Sequence, residues 1–426
     1  MATGDERLLR PSDDTLEILR TLVGFATVSR DSNLGLIEWV RDRLARQGVP
    51  ARLTYDATGG KANLFATIGG GARAGVVLSG HTDVVPVDGQ DWHSDPFTLR
   101  EHDGRLYGRG AADMKGFIAA ALAQTDRLLA ADLDHPVHLA LSYDEEVGCL
   151  GVRGLLRDIR QAGIQPAACI VGEPTGMQAV IGHKGLVGYR CRVRGREAHS
   201  ALTPQGVNAV EYAARLIVYI RLIADRLRAL EQRHVGYDVP HSTLNTGTIE
   251  GGIALNVVPR DCSFVFECRY LPSTDPAAVI DEIRAYAERE LLPQMREVAP
   301  DAAIAFEHLA DLPAFDTQAD HPVTRYAEAL ADSRAAAAAS AGGAADSDQD
   351  AQRGRYVAFG TEAGLFQRAG IPTVLCGPGH IAQAHKPDEW IELVQLAQCE
   401  RFMQRLAAGA TTLDLPRGGA GGAVHF

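Results

Sequence analysis

Acidic residues and histidines stand at five places along the chain, each just beyond the carboxyl end of a predicted strand. These residues are His81, Asp83, Asp113, Glu145, Glu146, Glu173 and His385. In an open α/β sheet, this edge is where ligands bind. Two histidines and several carboxylates, with no cysteine among them, are typical of a hydrolytic zinc site that leaves one position open for water.

The chemistry of such a site depends on how many ions it holds. A single acidic residue or histidine in a loop is usually solvated or a helix cap. The prediction of a metal site therefore requires that the residues from all five places lie close together in the folded chain. If two ions bind, about 3.5–4 Å apart, one carboxylate must bridge them and another must stay off the metals to move protons. The adjacent Glu145 and Glu146 allow that division, because one can ligate while the other faces the water.

The segments that must position these residues alternate between strand and helix patterns. Apolar residues recur at three- and four-residue intervals over residues 13–47, which predicts one or two helices. Short apolar runs predict strands at 63–68, 75–79, 137–141, 168–171 and 373–376. This order predicts an α/β fold, with a mostly parallel twisted sheet covered by helices on both faces.

The pattern changes between residues 188 and 310. A strand, a long helix, two strands, a helix and a last strand follow one another there, which predicts a small inserted α+β module of ferredoxin-like type. Residues 1–187 and 311–426 are therefore predicted to form the larger, catalytic domain around an insertion at 188–310. An Ala- and Ser-rich segment at 334–353 is predicted to be a flexible loop, and the Gly-rich tail at 416–426 to be disordered.

Length and composition limit the class of protein. The chain has 426 residues, more than the roughly 250–300 that one hydrophobic core supports, so two domains are expected. A formal net charge of -12 argues against a nucleic-acid-binding surface. No apolar run reaches the about 20 residues that span a bilayer, and the first residues lack a signal-peptide pattern, so a cytoplasmic protein with a small-molecule partner is predicted. Seven scattered cysteines indicate reduced thiols rather than disulfides.

The residues between the first two metal-site motifs extend the pattern beyond isolated ligands. Trp92, Asp95-Pro96-Phe97 and Leu106-Tyr107-Gly108-Arg109-Gly110 stand in order between His81 and Asp113. With them, most of the chain resembles the family of co-catalytic di-zinc deacylases and carboxypeptidases, which includes aminoacylase and succinyl-diaminopimelate desuccinylase. The resemblance implies a zinc exopeptidase-like catalytic domain and an inserted module that acts as lid and dimerisation domain.

The resemblance also implies a role for each candidate residue. Of the two zinc ions, one would be held by His81 and Glu173, the other by Glu146 and His385, with Asp113 bridging them. Cobalt or manganese could replace zinc, because the ligand set accepts several ions. Glu145 would be the general base, and Asp83 would orient the imidazole of His81. The peptide bond between Asp113 and Met114 would be cis.

Three assignments concern the substrate. A homodimer is implied, in which His199 of one subunit donates a hydrogen bond to the oxyanion formed in the other; by itself, His199 would be interpreted as a surface histidine. Asn256 and Arg269 match positions that bind the substrate α-carboxylate, although an ordinary exposed strand arginine is the alternative for Arg269. The segment around Glu362 is most similar to acetylornithine-hydrolysing members, which places Glu362 near the terminal amine of a basic amino acid.

The predicted function is metal-dependent hydrolysis of an N-acyl amino acid, with N2-acetyl-L-ornithine giving L-ornithine and acetate in arginine biosynthesis. Desuccinylation, broader aminoacylase activity and dipeptidase activity are alternatives within the same family. A non-catalytic binding protein is disfavoured because Glu145 and every ligand position carry suitable side chains. A cysteine hydrolase built on Cys149 or Cys376 is also disfavoured, since no local motif offers a histidine partner.

Overall fold

The computed structural model describes residues 10–70, 74–133, 135–331 and 354–409, so the loop predicted at 334–353 and the tail predicted at 416–426 lie outside the described residues. The chain divides into two compact units. The first unit comprises Met1–Gly182, Asp316–Tyr356 and Thr361–Phe426, and the second comprises His183–Phe315 and Val357–Gly360. The second unit is wider than the predicted 188–310, because its strands begin at Gly185 and end at Leu312.

The described residues contain eleven helices and sixteen strands, numbered here in chain order. The helices are α1 (Asp13–Gly24), α2 (Leu34–Arg46), α3 (Gly116–Ala123), α4 (Thr125–Ala130), α5 (Leu150–Gln161), α6 (Ala209–Leu230), α7 (Pro276–Tyr286), α8 (Leu292–Val298), α9 (Pro322–Ala331), α10 (Ala363–Arg368) and α11 (Leu393–Ala407). The strands are β1 (Ala51–Tyr55), β2 (Ala62–Ile68), β3 (Val76–His81), β4 (Arg100–His102), β5 (Arg105–Tyr107), β6 (Val137–Ser142), β7 (Ala168–Val171), β8 (Gly182–His183), β9 (Gly185–Arg194), β10 (Thr243–Gly251), β11 (Asp261–Tyr270), β12 (Ala303–Leu312), β13 (Phe315–Asp316), β14 (Tyr356–Val357), β15 (Thr373–Leu375) and β16 (Trp390–Glu392).

A six-stranded sheet forms the centre of the first unit, in the order β1-β2-β6-β3-β7-β15. Its strands β6, β3, β7 and β15 run parallel, whereas β2 pairs antiparallel with both of its neighbours. All six residues of β3 and of β6 are buried, as expected for strands covered on both faces. The predicted α/β fold with a mostly parallel sheet is confirmed.

The helices of the first unit follow from their apolar patterns. Helix α1 begins after Ser12, whose hydroxyl accepts a hydrogen bond from the Thr15 amide, and it buries Leu16, Leu19 and Leu22. Helix α3 is apolar on every side and packs against α1 and α11 in the core. The apolar pattern near the end of the chain predicts a last helix over residues 389–406, but the helix starts at Leu393, because β16 pairs with β5 just before it.

The second unit is a four-stranded antiparallel sheet in the order β10-β11-β9-β12. Its chain order is β-α-β-β-α-β, which confirms the predicted ferredoxin-like module. The apolar sides of α6 and α7 share one core with buried sheet residues such as Cys191, Phe264 and Phe266. Among the described helices of both units, none combines the length and the apolar character needed to cross a bilayer.

One buried histidine of the first unit makes its stability depend on pH. His138 lies on β6, where its ring stacks on Phe65 with a centroid distance of 5.1 Å and its Nδ1 lies 3.0 Å from the hydroxyl of Thr67. Burial lowers the pKa of His138 from 6.5 to about 4, because the charged imidazolium would lose its hydration. The folded unit therefore keeps His138 neutral at pH values where the unfolded chain protonates it.

We expect the free energy of unfolding of the first unit to fall by about 2 kcal/mol when the pH is lowered from 7 to 5. His138 causes this loss, because it takes up a proton in the unfolded state but not in the folded state over this pH range. His138→Phe should abolish this contribution, whereas replacing the exposed His102 by Phe should not. Urea unfolding followed by tryptophan fluorescence measures it, since all three tryptophans, Trp39, Trp92 and Trp390, belong to this unit. Equal pH dependence in His138→Phe and the parent would contradict the assignment.

Candidate metal centre

Three neighbouring parallel strands of the first unit deliver candidate ligands to one edge of the sheet. His81 is the last residue of β3, Glu145 and Glu146 follow β6, and Glu173 follows β7. Because β6, β3 and β7 are adjacent and parallel, their carboxyl ends lie side by side. The side chains that follow these strands are therefore gathered by the sheet itself.

Asp113 joins the two histidines of the site. Its Oδ1 lies 2.9 Å from Nε2 of His81, and its Oδ2 lies 3.3 Å from Nε2 of His385. Each carboxylate oxygen thus faces a different imidazole. The peptide bond between Asp113 and Met114 is cis, as the resemblance implied.

Glu146 completes the second half of this arrangement. Its Oε2 lies 3.0 Å from Nε2 of His385. Ligand atoms of His81, Asp113 and Glu146 lie within 4.8 Å of one another, a spacing at which such side chains can hold divalent metal. His81, Asp113 and Glu173 are at most 5% exposed, whereas the side chain of His385 is 51% exposed, so the cluster opens to solvent on the His385 side.

The cluster concentrates negative charge away from water. Burial raises the pKa of Glu145, Glu146 and Glu173, and neighbouring carboxylates raise it further. Burial also acts on Asp113, but hydrogen bonds with the two histidines hold the pKa of its carboxyl below the usual range. Buried carboxylates of this kind are stabilised by cations, and the nitrogen and oxygen donors suit a divalent ion such as zinc.

Asp83 connects the first ligand to the loop after β6. The imidazole Nδ1 of His81 lies 2.9 Å from the backbone oxygen of Asp83 and 3.7 Å from its Oδ1. The Asp83 carboxylate accepts hydrogen bonds from the Ser29 hydroxyl and from the backbone amides of Glu145 and Glu146. Asp83 thus positions the His81 ring mainly through its main chain, and its side chain fixes the two neighbouring glutamates.

Glu145 and Glu146 point to different partners although they are adjacent. Glu146 contacts His385, whereas Oε1 of Glu145 accepts a hydrogen bond from the thiol of Cys149 at 3.3 Å. The two adjacent glutamates therefore have different contacts, one with a candidate ligand histidine and the other with a thiol.

Glu362 lies on the floor of the same region. It is 1% exposed, and its Oε2 accepts a hydrogen bond from the hydroxyl of Ser79, two residues before His81 on β3. The hydroxyl of Ser142 is a second hydrogen-bonding neighbour of this carboxylate. Burial raises the pKa of Glu362 to about 7.

The loop that carries His385 is held by contacts with the segment between the His81 and Asp113 motifs. His385 has a backbone φ of 63°, and its carbonyl accepts a hydrogen bond from the Gln90 side chain at 3.0 Å. Arg109 donates to the carbonyl of Lys386 at 3.3 Å. Asp388 accepts a hydrogen bond from the backbone amide of His93. Arg109 belongs to the Leu106-to-Gly110 segment that carried the resemblance, whereas Gln90 and His93 had no sequence signal.

The remaining three candidate residues belong to the second unit, where they do not form one group. The Ser200 amide donates to the Asn256 carbonyl at 3.0 Å, and His199 pairs with Val257, so His199 and Asn256 share one corner of the module. Arg269 lies near the far end of β11, roughly 27 Å along the strand from its start at Asp261. It pairs there with Glu267 at 3.1 Å. Within one chain, Asn256 and Arg269 are not brought together around one carboxylate.

The cysteines give no support to nucleophilic thiol chemistry. All seven are buried free thiols. Burial raises the pKa of Cys149 well above its usual value and that of Cys376 to about 12. Since the thiolate is the nucleophile, neither side chain is activated in this structure.

Comparison with known proteins gives the same class as the site geometry. Residues 77–409 match Peptidase family M20/M25/M40. An acetylornithine deacetylase from Shigella sonnei is 33% identical over 88% of this chain and 92% of its own length. Another, from Proteus mirabilis, is 31% identical over 92% of this chain and 95% of its own length.

Solved structures share the fold at lower identity. The M20 family metallo-carboxypeptidase Sso-CP2 from Sulfolobus solfataricus superimposes with a TM-score of 0.70 at 19% identity, over 93% of this chain and 99% of its own. The YXEP protein of Bacillus subtilis, described as a dinuclear metal binding peptidase, has a TM-score of 0.61 at 16% identity, over 93% of this chain and 97% of its own. The fold and the site define a hydrolase that acts on amides. The chain belongs to Peptidase family M20/M25/M40.

The separation of Glu145 from Glu146 predicts opposite effects of replacing them by alanine. Glu145→Ala should retain divalent metal and lose activity by about 10²–10⁴-fold, the usual contribution of a general acid or base. Glu146→Ala should lower metal affinity by more than the roughly 10–100-fold that follows loss of a ligand's hydrogen-bond partner. Metal analysis of dialysed protein together with amide hydrolysis distinguishes the two. Metal loss in Glu145→Ala with retention in Glu146→Ala would mean that the roles are exchanged.

Proposed function

We propose that this chain hydrolyses N2-acetyl-L-ornithine to L-ornithine and acetate, as a step of arginine biosynthesis. The observation that carries the proposal is its similarity, over about nine tenths of the chain, to relatives named acetylornithine deacetylase. The candidate metal centre supports amide hydrolysis, and the buried Glu362 supports a cationic substrate side chain.

We further propose that the centre holds two zinc ions. His81 and Glu173 would bind one, Glu146 and His385 the other, and Asp113 would bridge them. The support is that each oxygen of Asp113 faces a different histidine and that Glu146 is paired with His385. Divalent ions bound there would lower the pKa of a water molecule and polarise the substrate carbonyl.

Glu145 then acts as the proton carrier. Its side chain is half-buried beside the ligands, and its hydrogen bond from the Cys149 thiol leaves the second carboxylate oxygen for a water molecule. It takes a proton from the attacking water and later gives that proton to the nitrogen of the leaving amine. Asp83 keeps this glutamate in place through its bond to the Glu145 amide.

Glu362 would recognise the terminal amine of the substrate. A carboxylate held away from water binds a cation more strongly than an exposed one does. It lies beside Ser79 on the strand that ends in His81, so it belongs to the same strand ends as the ligands. A neutral substrate side chain would leave this carboxylate without compensation.

We also propose that the active enzyme is a homodimer. The second unit exposes Val218 and Leu222 on one side of α6, and Ile249 lies exposed on β10, which is at the edge of its sheet. Exposed apolar side chains next to a sheet edge are suited to contact with a second chain. In this arrangement His199 would donate to the oxyanion in the partner's site.

The dimer also gives a role to the separation within the second unit. His199 and Asn256 lie in one corner of the module, whereas Arg269 lies near the other end of β11. Asn256 of one subunit and Arg269 of the other could then bind the same substrate α-carboxylate. The planar guanidinium of Arg269 suits that carboxylate because it donates two parallel hydrogen bonds.

A substrate panel tests the proposal. With metal-replete protein, kcat/KM for N2-acetyl-L-ornithine should exceed that for acetylmethionine and for succinyl-diaminopimelate by at least about 10-fold. Glu362→Gln should lower kcat/KM for acetylornithine by about 10–100-fold, because a hydrogen bond to a charged group contributes about 1.5–3 kcal/mol. It should leave acetylmethionine hydrolysis within about 3-fold of the parent.

The comparison within the panel serves as the control, since general damage to the site slows every substrate alike. An unchanged ratio of acetylornithine to acetylmethionine in Glu362→Gln would contradict the role of Glu362. A parent enzyme that prefers the succinylated substrate, or dipeptides, would contradict the proposed substrate while leaving amide hydrolysis intact.

A further inference from the structure

One buried carboxylate outside the ligand set gathers an unusual number of donors. Oε1 of Glu389 accepts hydrogen bonds from the backbone amides of Ala112 and Asp113, at 3.0 and 3.1 Å. Its Oε2 accepts from the Gly110 amide at 3.1 Å and from the Arg109 guanidinium at 2.8 Å. Glu389 and Arg109 are each 1% exposed, so this network excludes water.

The three amides belong to the turn that presents Asp113. Ala111–Lys115 forms a distorted turn with non-helical backbone angles at Asp113 and Met114, and the amides of Ala112 and Asp113 find their acceptor outside it. Gly110 precedes the turn with a φ of 81°, and a Cβ there would lie 2.8 Å from Val84. Residues with a side chain would not fit at Gly110, so the backbone of the turn is constrained to this conformation. The carboxylate oxygens of Glu389 accept the hydrogen bonds of its amides.

Glu389 also belongs to the segment that carries the other histidine. It lies four residues after His385, and its own carbonyl accepts a hydrogen bond from the Gly108 amide at 2.9 Å. Arg109, bound to the Glu389 carboxylate, also donates to the carbonyl of Lys386. The loop after His385 and the turn of Asp113 are thus joined through one side chain.

We propose that Glu389 is a positioning residue that fixes the carboxylate of Asp113 between His81 and His385. The inference rests on the metal roles proposed above, and it adds a residue that binds neither metal nor substrate. Ligand atoms must be held within about 0.5 Å of the productive geometry for a site to function. Without Glu389, the turn loses the common acceptor of three amides, and Asp113 loses its fixed distance to the two imidazoles.

Glu389→Gln tests this, because the amide group keeps the shape of the side chain but turns a donor toward the backbone amides. Zinc affinity, measured by chelator competition, should fall by about 10–100-fold, the usual effect of removing a ligand's hydrogen-bond partner. The value of kcat, on whichever substrate of the panel the parent hydrolyses, should fall similarly, with KM within about 3-fold. The visible spectrum of the cobalt-substituted protein should change, because it reports ligand geometry.

Glu400→Gln is the matched control. Glu400 is also a buried carboxylate of the first unit, and it accepts hydrogen bonds from the Ser12 amide and the Gln124 side chain. This variant should keep zinc affinity and kcat within about 2-fold of the parent values. Its cobalt spectrum should be the same as that of the parent. Equal losses in the two variants would mean that any buried carboxylate matters, which overturns a specific role of Glu389.

The single variant leaves Arg109 with less compensation for its charge, which could prevent folding. The double variant Glu389→Gln with Arg109→Gln removes both charges and retains the test. Folded protein of either variant that binds zinc as tightly as the parent, with an unchanged cobalt spectrum, overturns the inference. A parent that binds no divalent ion overturns the proposed metal roles themselves, which is a separate result.

Discussion

The structure of the candidate site depends on one carboxylate shared by two imidazoles. Asp113 lies 2.9 Å from His81 with one oxygen and 3.3 Å from His385 with the other. The two histidines are more than 300 residues apart in the sequence, so this contact joins the start and the end of the first unit. A carboxylate held in this way can face two cations at once, whereas a flexible one could not keep them at a fixed distance.

The rest of the first unit supplies what this contact requires. Three parallel strands bring His81, Glu146 and Glu173 to one edge of the sheet. The Asp83 carboxylate fixes the loop after β6 by accepting hydrogen bonds from two backbone amides of that loop. Like charges collected away from water are costly unless a cation compensates them. The same burial that raises the pKa of Glu145 and Glu173 is therefore consistent with a site formed to hold positive charge.

Sequence patterns predicted the strands of the central sheet that are mostly apolar and buried on both faces. Strands β7 and β3 were both found because they are apolar runs buried on both faces. The prediction matched β7 at residues 168–171 and stopped two residues before the end of β3. Strand β1 was missed, since this edge strand carries Arg52 and Thr54 and is only half-buried. Strand β16 was mistaken for the start of the last helix, because its pairing with distant β5 leaves no local signal.

The same distinction separates the site residues that sequence can and cannot indicate. His81, Asp113 and Glu146 are recognisable as candidate ligands because metals bind only a few residue types, and His81 and Glu146 also stand at or just after strand ends. The role of Glu389 is not, although the residue stands in the segment that follows His385, since its partners are backbone amides nearly 280 residues earlier in the chain and an amide of any residue could occupy that position. Hydrogen bonds of this kind depend on how the folded chain packs, and the residue types of a sequence motif do not reveal them.

A crystal structure of the zinc-loaded protein, with anomalous diffraction measured at the zinc edge, tests the central claim most directly. The account predicts two anomalous peaks, about 3.5–4 Å apart, one on each side of the Asp113 carboxylate and each next to one of the two histidines. A single peak, or two peaks of which one has no contact with Asp113, would contradict it.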